Sequence, residues 1–483
     1  MKNAYAFNLR HLLLIPLLAV LAACGGGGGG SASSGTTTTT PTLVSIAVTP
    51  ANLTMAIGTT QQFVATGTFT DSSTSALSTG LTWGVKGSNI TIGTTGIVTG
   101  KAVGPDTVTA TVGTVVGSTP VTVNAPWRKV AAGGAHTVAL KADGSLFSWG
   151  SNLQGQLGDG TNTDRVAPVQ VQVTAPTTGT ISPWTMVAAG EEHTVALRAD
   201  GTLWAWGYNF YGQLGDGTNI DRNVPTRIGS GTGWVFVAAG KWHTIAIDKT
   251  GVLWAWGANF NGQLGDGTTA AKAVPTKIGA FTNWMSASAG ATHTLAVRAD
   301  GTLWAWGGNA SGQVGNGSLV DLHAPLQIGT STWRAVAAGT LHSVAIRADG
   351  ALFAWGSNGS GQVGNGLTTN ATAPTQISNT NPSNWTSISA GAAYTVGVRT
   401  DGTLWAWGSN SDGQLGDGFG LDTNTPNQIG TVTNWSSALS AGLFHAFGIR
   451  SDGTLWGWGR NVEGQQGNGD ATGAAVPTPV NLP

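Results

Sequence analysis

Short runs of alternating apolar and polar residues follow one another along residues 43–124. They occupy residues 44–48, 63–65, 81–85, 108–112 and 121–123, and turn-forming residues separate them. A period of two at this spacing is typical of strands that bury one face. The pattern therefore predicts a small β-sandwich.

From Trp127 onward, one motif of about 51 residues returns seven times. Each copy contains four short β runs, and the third run, as in Leu203-Trp204-Ala205-Trp206, is apolar on both faces. Such a strand has to be covered on both sides, which four-stranded sheets stacked around an axis achieve. The repeats predict a seven-bladed β-propeller over residues 127–483, whose last blade packs on the first. Each copy opens with a tryptophan, at Trp127, Trp184, Trp234, Trp284, Trp333, Trp385 and Trp435.

Turn residues recur at fixed places in the copies. An Asp-Gly pair separates the second and third runs in six copies, and the third copy has Thr250-Gly251 instead. We expect two-residue hairpins there, because Asp tolerates a positive φ and Gly accepts it freely. Gln213 and its counterparts in all seven copies are expected to tie the backbone of adjoining turns with their amides.

The first residues have the features of an export signal. Lys2 and Arg10 precede an apolar run at residues 12–23, which is too short to span a bilayer in the usual way and ends in Leu-Ala-Ala-Cys at Cys24. This end resembles the lipobox of bacterial lipoproteins. The resemblance implies a signal peptide at residues 1–23, a lipidated Cys24 as the mature N-terminus and, because Gly25 follows, an anchor in the outer membrane. An ordinary secretory signal is the alternative, and a flexible Gly/Ser/Thr tether at 24–42 follows.

Two further resemblances cover the rest of the chain. Residues 43–124 resemble the group 2 bacterial Ig-like domains through residues 48–50, 58–63, 81–83 and 96–104, which implies a spacer or adhesive module. Residues 127–483 resemble the regulator of chromosome condensation repeat family, in its bacterial secreted branch. The matching pairs are Ala189-Gly190, His193-Thr194, Asp200-Gly201 and Trp206-Gly207, with Gly212-Gln213-Leu214-Gly215. That family forms seven-bladed propellers; its founding members are guanine-nucleotide exchange factors, and its secreted members bind proteins through loops of several blades.

Composition and charge argue against several classes of function. A formal net charge of −1 and a pI near 6.7 argue against a nucleic-acid partner. The 75 glycines have no three-residue period and indicate many turns, and one cysteine excludes a disulfide framework or a cysteine-based zinc site. Neither a P-loop nor a nucleophile elbow with a plausible histidine and acid is present. We expect no enzyme activity and no cofactor.

Six histidines stand at one position of the repeat, and the sixth copy has Tyr394 there. We expect each histidine to bond to its local backbone rather than to a metal, because blades hold equivalent positions too far apart for shared coordination. The acids at 159/164 and 216/221 miss the spacing of a calcium loop, and His323 lies in a loop outside the pattern. No metal site is predicted. The six histidines are His136, His193, His243, His293, His342 and His445.

The copies differ most at two pairs of positions, one before the histidine and one after a shared asparagine. Some copies have Ala or Gly there, so large residues elsewhere are not required by the fold. An aromatic cluster on repeats 2 and 3, bordered by charges, is typical of a protein-binding surface, although packing between blades is the alternative. The candidate binding surface consists of Glu191, Glu192, Phe210, Tyr211, Lys241, Trp242, Phe260 and Phe444.

These features favour a lipid-anchored protein of the bacterial cell envelope. Its propeller would be a binding scaffold on an Ig-like stalk, with an unknown protein or cell-surface polymer as partner. A regulator resembling guanine-nucleotide exchange factors is one alternative, by family resemblance. A carbohydrate-binding propeller, which would stack sugars on the aromatic residues, is the other.

Overall fold

A computed structural model describes residues 40–171, 182–378 and 384–480 of the chain. In these ranges every regular element is a β-strand, so the all-β prediction is confirmed there, and no helix long and apolar enough to cross a membrane is found. The predicted signal peptide, Cys24 and nearly all of the predicted tether lie outside the described residues.

Residues 43–124 fold around a core of their own. The core contains Val48, Phe63, Val98 and Val108, which are almost completely buried. The strands pair in three sheets, in the orders β1-β4-β5, β2-β10-β9-β6 and β3-β8-β7. They are β1 (Leu43–Thr49), β2 (Leu53–Ala56), β3 (Thr60–Gln62), β4 (Val64–Phe69), β5 (Thr74–Ala76), β6 (Thr82–Val85), β7 (Ile90–Ile92), β8 (Ile97–Gly100), β9 (Gly104–Val112) and β10 (Val115–Asn124).

Repeats 1 to 3, 6 and 7 each contribute four antiparallel strands in sequential order, and repeats 4 and 5 together contribute seven. Repeats 1 to 3 contain β11 (Trp127–Ala132), β12 (His136–Lys141), β13 (Leu146–Gly150), β14 (Arg165–Gln170), β15 (Trp184–Ala189), β16 (His193–Arg198), β17 (Leu203–Gly207), β18 (Arg222–Arg227), β19 (Trp234–Ala239), β20 (His243–Asp248), β21 (Leu253–Gly257) and β22 (Lys272–Lys277). Repeats 4 and 5 contain β23 (Trp284–Ala289), β24 (His293–Arg298), β25 (Thr302–Gly307), β26 (Leu322–Ala338), β27 (His342–Arg347), β28 (Leu352–Gly356) and β29 (Ala371–Gln376). Repeats 6 and 7 contain β30 (Trp385–Ala390), β31 (Tyr394–Arg399), β32 (Leu404–Gly408), β33 (Thr423–Gln428), β34 (Trp435–Ala441), β35 (His445–Arg450), β36 (Leu455–Gly459) and β37 (Ala474–Pro479).

Five repeats form separate four-stranded sheets, whereas repeats 4 and 5 share the long strand β26 in one seven-stranded sheet. The last repeat packs on the first, because the Trp127 amide donates to the Gly453 carbonyl at 2.9 Å and the Leu443 amide to the Gly133 carbonyl at 3.3 Å. Strand β37 pairs with β36 of its own repeat. The first and last repeats are therefore joined by contacts between sheets and not by a sheet that they share.

The first strands of the repeats approach one another closely around the axis. A Cβ built on Gly133 meets the Gly190 carbonyl oxygen at 2.5 Å, and one built on Gly442 meets the Gly133 carbonyl oxygen at 2.5 Å. Only glycine fits this position, because any side chain would collide with the neighbouring repeat. The Ala-Gly pair that the copies share is thus explained by the close packing of the repeats.

The Asp-Gly turns differ from the two-residue hairpins that the sequence predicts. In repeat 2 the Arg198 amide donates to the Thr202 carbonyl at 3.1 Å, which makes a three-residue loop. Gly201 has a φ of 75°, whereas Asp200 is not in the positive region. Its carboxylate instead accepts a hydrogen bond from the Thr202 amide at 3.0 Å. The prediction was wrong because it gave aspartate a conformational role, whereas its role is to accept hydrogen bonds from the turn.

The histidines bridge neighbouring repeats rather than bonding to local backbone, so that expectation was wrong. His193 Nε2 lies 3.0 Å from Thr244 Oγ1 of the next repeat, and this hydroxyl donates to the Gln213 carbonyl at 2.8 Å. Because the hydroxyl proton is used, its oxygen accepts from the imidazole N–H. The same bridge joins His445 of the last repeat to Thr137 of the first, at 3.1 Å.

Gln213 ties two repeats together through its main chain. Its carbonyl also accepts the Trp256 indole N–H at 2.9 Å, while its side-chain Oε1 accepts the Tyr211 amide at 3.0 Å within its own loop. The side-chain amide of Gln213 was expected to tie adjoining turns, but its hydrogen bond lies within its own loop. The equivalent indole bond closes the ring between Trp149 and the Gln465 carbonyl at 2.8 Å.

The sixth repeat replaces the histidine bridge with a different pair. Residue 446 of the seventh repeat is alanine, which has no hydroxyl to accept a bond. Tyr394, as expected from its chemistry, hydrogen-bonds in place of the histidine; its hydroxyl donates to the Gly442 and His445 carbonyls at 3.1 and 2.6 Å. Tyr394 and Ala446 thus compensate each other: the tyrosine bonds to carbonyls and does not need the hydroxyl that alanine lacks.

Candidate binding surface

The two variable loops of each repeat lie side by side at one end of its sheet. One joins the first and second strands, the other joins the third and fourth, and in repeat 2 the Tyr208 amide of the latter donates to the Glu192 carbonyl of the former at 2.9 Å. The variable side chains of the two loops are therefore held on the same face of the ring.

A buried asparagine makes the longer loop rigid. Asn209 donates its side-chain N–H groups to Asp216 Oδ1 at 3.2 Å and to the Thr218 and Ile220 carbonyls, while its Oδ1 accepts the Leu214 amide. Because every repeat has this asparagine, the loop backbone is fixed and the residues after it can vary. Binding side chains on such loops are preorganised.

The acids that suggested calcium serve the same loop. Asp216 forms an ion pair with Arg222 at 2.7 Å, and Asp221 accepts the Asn209 amide at 2.7 Å. Although burial acts to raise it, hydrogen bonds from the Thr218 hydroxyl and amide and from Arg222 hold the pKa of Asp216 below its usual value. Among the described residues no group of three or more metal-ligating side chains is found.

Five aromatic rings from repeats 2 and 3 form one continuous cluster, and four of them are candidate residues of the sequence analysis. Tyr211 is at its centre, with ring centroids 5.0 Å from Phe210, 5.1 Å from Trp242 and 5.3 Å from Phe260. Tyr208 stacks parallel to Phe210 at 6.4 Å. Phe210 and Phe260 are 62% and 57% exposed, whereas Tyr211 and Trp242 are half-buried beneath them. The cluster therefore has an exposed rim and a packed centre.

Charged groups border the cluster on the axial side. Lys241 Nζ lies 3.0 Å from Glu191 Oε2 and 4.4 Å from the centroid of the Trp242 ring. Burial, together with the nearby Glu191 carboxylate, raises the pKa of Glu192. Burial and the neighbouring Tyr211 likewise raise the pKa of Tyr208. The rings thus lie in a locally acidic environment that contains one lysine.

Phe444 is the one predicted residue that the structure places apart. It lies in repeat 7, and repeat 1 stands between it and the aromatic cluster, although its ring is partly exposed on the same face. Glu191 and Lys241 also line the mouth of a cavity of about 100 Å³ on the axis, whose walls are the shared Ala-Gly pairs. The candidate surface is therefore continuous for seven of its eight residues.

The sequence analysis missed three contributors to this face. Tyr208 is the only aromatic residue at its repeat position, so extending the comparison of copies by two residues would have found it. Leu153 and Val462 occupy the position of Phe210 in repeats 1 and 7, and both are exposed. Repeats 4 to 6 have Ala310, Gly359 and Ser411 there. The apolar side chains therefore extend over four consecutive repeats, 7, 1, 2 and 3.

The N-terminal unit lies at the opposite end of the ring. Residues 57–60 of that unit line a cavity together with Pro126, Asp452 and Gly453, which belong to the end with the Asp-Gly turns. The aromatic cluster is on the other end of the sheets. The variable loops therefore face away from the segment that leads to the chain's N-terminus.

Ring-packed four-stranded sheets, with a rigid frame and variable loops, define a protein of the β-propeller class. A profile of the RCC1-like domain matches residues 20–329, a range that also includes the N-terminal unit, and the regulator of chromosome condensation (RCC1) repeat matches residues 349–398 and 401–449. The chain belongs to the RCC1-like domain family.

Individual relatives match only parts of the chain. The ultraviolet-B receptor UVR8 of Arabidopsis thaliana is 41% identical over 103 residues, which are 21% of this chain and 22% of UVR8. The probable E3 ubiquitin-protein ligase HERC3 of Homo sapiens is 37% identical over 103 residues, 21% of this chain and 9% of HERC3. The structure of Prp20p from Saccharomyces cerevisiae aligns with a TM-score of 0.58 at 24% identity, over 67% of this chain and 83% of Prp20p. This last likeness shows a shared fold.

Proposed function

We propose that this protein is a non-enzymatic binding scaffold of the bacterial cell envelope, whose ligand is a protein or a cell-surface polymer. Its seven repeats form seven blades, with β26 contributing to two of them. A lipid on Cys24 anchors the chain to the outer membrane, and the Ig-like unit at residues 43–124 is the stalk. The aromatic cluster with its bordering charges is the binding site.

The observation that carries the proposal is the aromatic cluster itself. Two phenylalanines more than half exposed cover a tyrosine and a tryptophan on a loop frame that folds in other repeats with Ala, Gly or Ser. Aromatic anchors surrounded by polar groups on a rigid frame are typical of binding hot spots. Because the cluster faces away from the N-terminal unit, a ligand can reach it while the chain is anchored.

Relatives in the same family support a binding role without defining the ligand. Prp20p has binding properties towards Gsp1p and histones. HERC3 is a probable ligase, but its similarity to this chain spans 9% of its length. The proposal therefore places binding in the propeller and assigns no catalysis to it.

The double variant Phe210→Ala, Phe260→Ala is expected to lose ligand binding at least about tenfold, because hot-spot rings contribute about 2 kcal/mol or more each. Its free energy of unfolding should change by less than about 1 kcal/mol, since surface substitutions are usually that mild. The measurement is quantitative capture of envelope proteins and glycans on the immobilised chain, together with urea unfolding.

Phe419→Ala is the matched control. Phe419 is an exposed phenylalanine, at 68%, on the corresponding loop of repeat 6. Capture should be unaffected by this change. Equal capture by both variants and the unaltered chain would refute the proposed surface. A glycan among the captured species, lost with Phe210 and Phe260, would select the carbohydrate alternative.

A further inference from the structure

Six of the seven repeats place a cation on aromatic rings at the end of the second strand. In repeat 2 the Arg198 guanidinium carbon lies 4.5 and 4.4 Å from the centroids of the Trp184 and Trp204 rings. In repeat 6 the Arg399 carbon is 3.7 Å from Trp405. Such contacts are favourable because the ring face is electronegative. The cations are Lys141, Arg198, Arg298, Arg347, Arg399 and Arg450.

The third repeat has Asp248 at this position and retains the rings. The Trp234 and Trp254 centroids are 5.8 Å apart at 75°, close to the 6.1 Å and 82° of the pair around Arg198. A cavity of about 280 Å³ opens here, lined by Trp234, Asp248, Lys249 and Trp254. The third repeat therefore keeps the two aromatic rings of the cation site but has an aspartate in place of the cation.

The opening tryptophan is more exposed in the third repeat, which lacks the cation, than in the other six repeats. The opening tryptophans of the other six repeats are at most 8% exposed, whereas Trp234 is only partly buried. In the described part of the chain no lysine or arginine stacks on Trp234 or Trp254, since the cation–ring contacts fall on the other repeats and on Trp242. The missing arginine thus leaves apolar ring surface open to solvent.

Asp248 contributes a fixed negative charge to the cavity. Its Oδ1 accepts the Thr250 hydroxyl at 2.5 Å, the Thr250 amide at 2.8 Å and the Val252 amide at 3.2 Å, and its Oδ2 accepts the Trp254 indole N–H at 2.9 Å. Although burial acts to raise it, these hydrogen bonds hold the pKa of Asp248 below its usual value, so the group is ionised at neutral pH. A carboxylate beside two indole rings is complementary to a guanidinium group.

A purely structural role explains only part of this arrangement. Asp248 takes over the turn contacts that Asp200 makes in repeat 2, and it accepts the indole N–H that Thr202 accepts there. Those contacts account for the carboxylate but not for the cavity or the exposure of Trp234. An aspartate at 250 and a threonine at 252, as in repeat 2, would serve the turn with an arginine retained at 248.

We propose that the cavity of the third repeat binds an arginine side chain of a partner protein, with its guanidinium stacked on Trp234 and Trp254 and paired with Asp248. The five internal copies that use arginine define this occupant. The site lies at the Asp-Gly end of the ring, opposite the aromatic cluster, so it does not depend on the ligand proposed above.

The test uses the full chain labelled with 5-fluorotryptophan and observed by ¹⁹F NMR. Signals of Trp234 and Trp254 are assigned with Trp234→Phe and Trp254→Phe. The probe is N-acetyl-arginine amide, and its neutral isostere N-acetyl-citrulline amide is the comparison. We expect arginine to shift both signals saturably, and citrulline to bind at least tenfold more weakly.

Two variants make the result specific. Asp248→Asn keeps the volume and removes the charge, and it should weaken arginine binding about tenfold. Asp248→Arg combined with Thr250→Asp and Val252→Thr restores the motif of repeat 2, fills the cavity and should abolish the shifts while the chain remains folded by its urea midpoint. Unchanged arginine binding in either variant, equal binding of citrulline, or no shift at Trp234 would each overturn the proposal. Should the triple variant fail to fold, Asp248→Asn alone decides.

Discussion

Lowering the pH from 8 to 5 is expected to reduce the free energy of unfolding by on the order of 10 kcal/mol, chiefly through six buried histidines. Burial lowers the pKa of His136, His193, His243 and His293 to about 3, and of His342 and His445 to about 4. Their Nδ1 atoms have no hydrogen-bond partner among the described residues. A proton added there would therefore be buried without an acceptor.

The loss of stability at low pH follows from which state of the chain, folded or unfolded, binds more protons. Between about pH 6.5 and 4 the unfolded chain protonates these histidines and the folded chain does not, so stability is complete above pH 6.5 and is lost as the pH falls. Each histidine contributes about 1.4 kcal/mol per pH unit when it titrates only in the unfolded chain. Glu192, with its raised pKa, acts in the opposite direction but is a single group.

Urea unfolding at pH 8, 7, 6 and 5 measures this dependence. The control is His323→Gln, which removes an exposed histidine and leaves the six buried ones in place. A urea midpoint that stays constant between pH 8 and 5 would show that the bridging histidines are not buried in neutral form.

Tyr394→His is expected to destabilise the protein by about 2–4 kcal/mol, although the other six repeats have histidine at this position. The tyrosine hydroxyl bonds to two carbonyls are lost, and the new imidazole faces Ala446 instead of a hydroxyl. A buried donor without a partner costs about 1–3 kcal/mol, and the smaller ring leaves a void.

Adding Ala446→Thr to Tyr394→His should recover most of this loss. The pair then reproduces the bridge of His342 with Thr395, which are 3.1 Å apart. A double-mutant cycle by urea unfolding should give a coupling of more than about 1 kcal/mol. The restored variant has a seventh buried histidine, so its stability should also fall more steeply with pH. Additive effects of the two substitutions would contradict the compensation.

The repeat pattern predicted the sheets of the propeller region and most of their strands. It could do so because the third strand of each copy is apolar on both faces and the turn before it has a glycine, features that recur in every copy. The hairpin type and the histidine partners were predicted wrongly. Both depend on which acceptor lies across a turn or a sheet boundary, and the local sequence around Asp200 or His193 does not contain that information.

The aromatic cluster was predicted from differences between copies, because a position that accepts alanine elsewhere does not need a ring for folding. The degree of burial was not predictable. Phe210 and Tyr211 are adjacent in the chain, yet one is exposed and the other lies beneath it. That difference arises from Trp242 and Phe260 of the next repeat, which pack on Tyr211.

The sequence by itself determined the all-β class, the repeating unit and the positions free to vary, because these follow from periodicity and from comparing copies within one chain. Only the tertiary structure decided which atoms join the last repeat to the first, that histidines join neighbouring repeats, and that Asp248 leaves a cation site open. These features depend on contacts between repeats. Residues about 50 positions apart become neighbours there, and only the packing of the sheets determines which atoms meet.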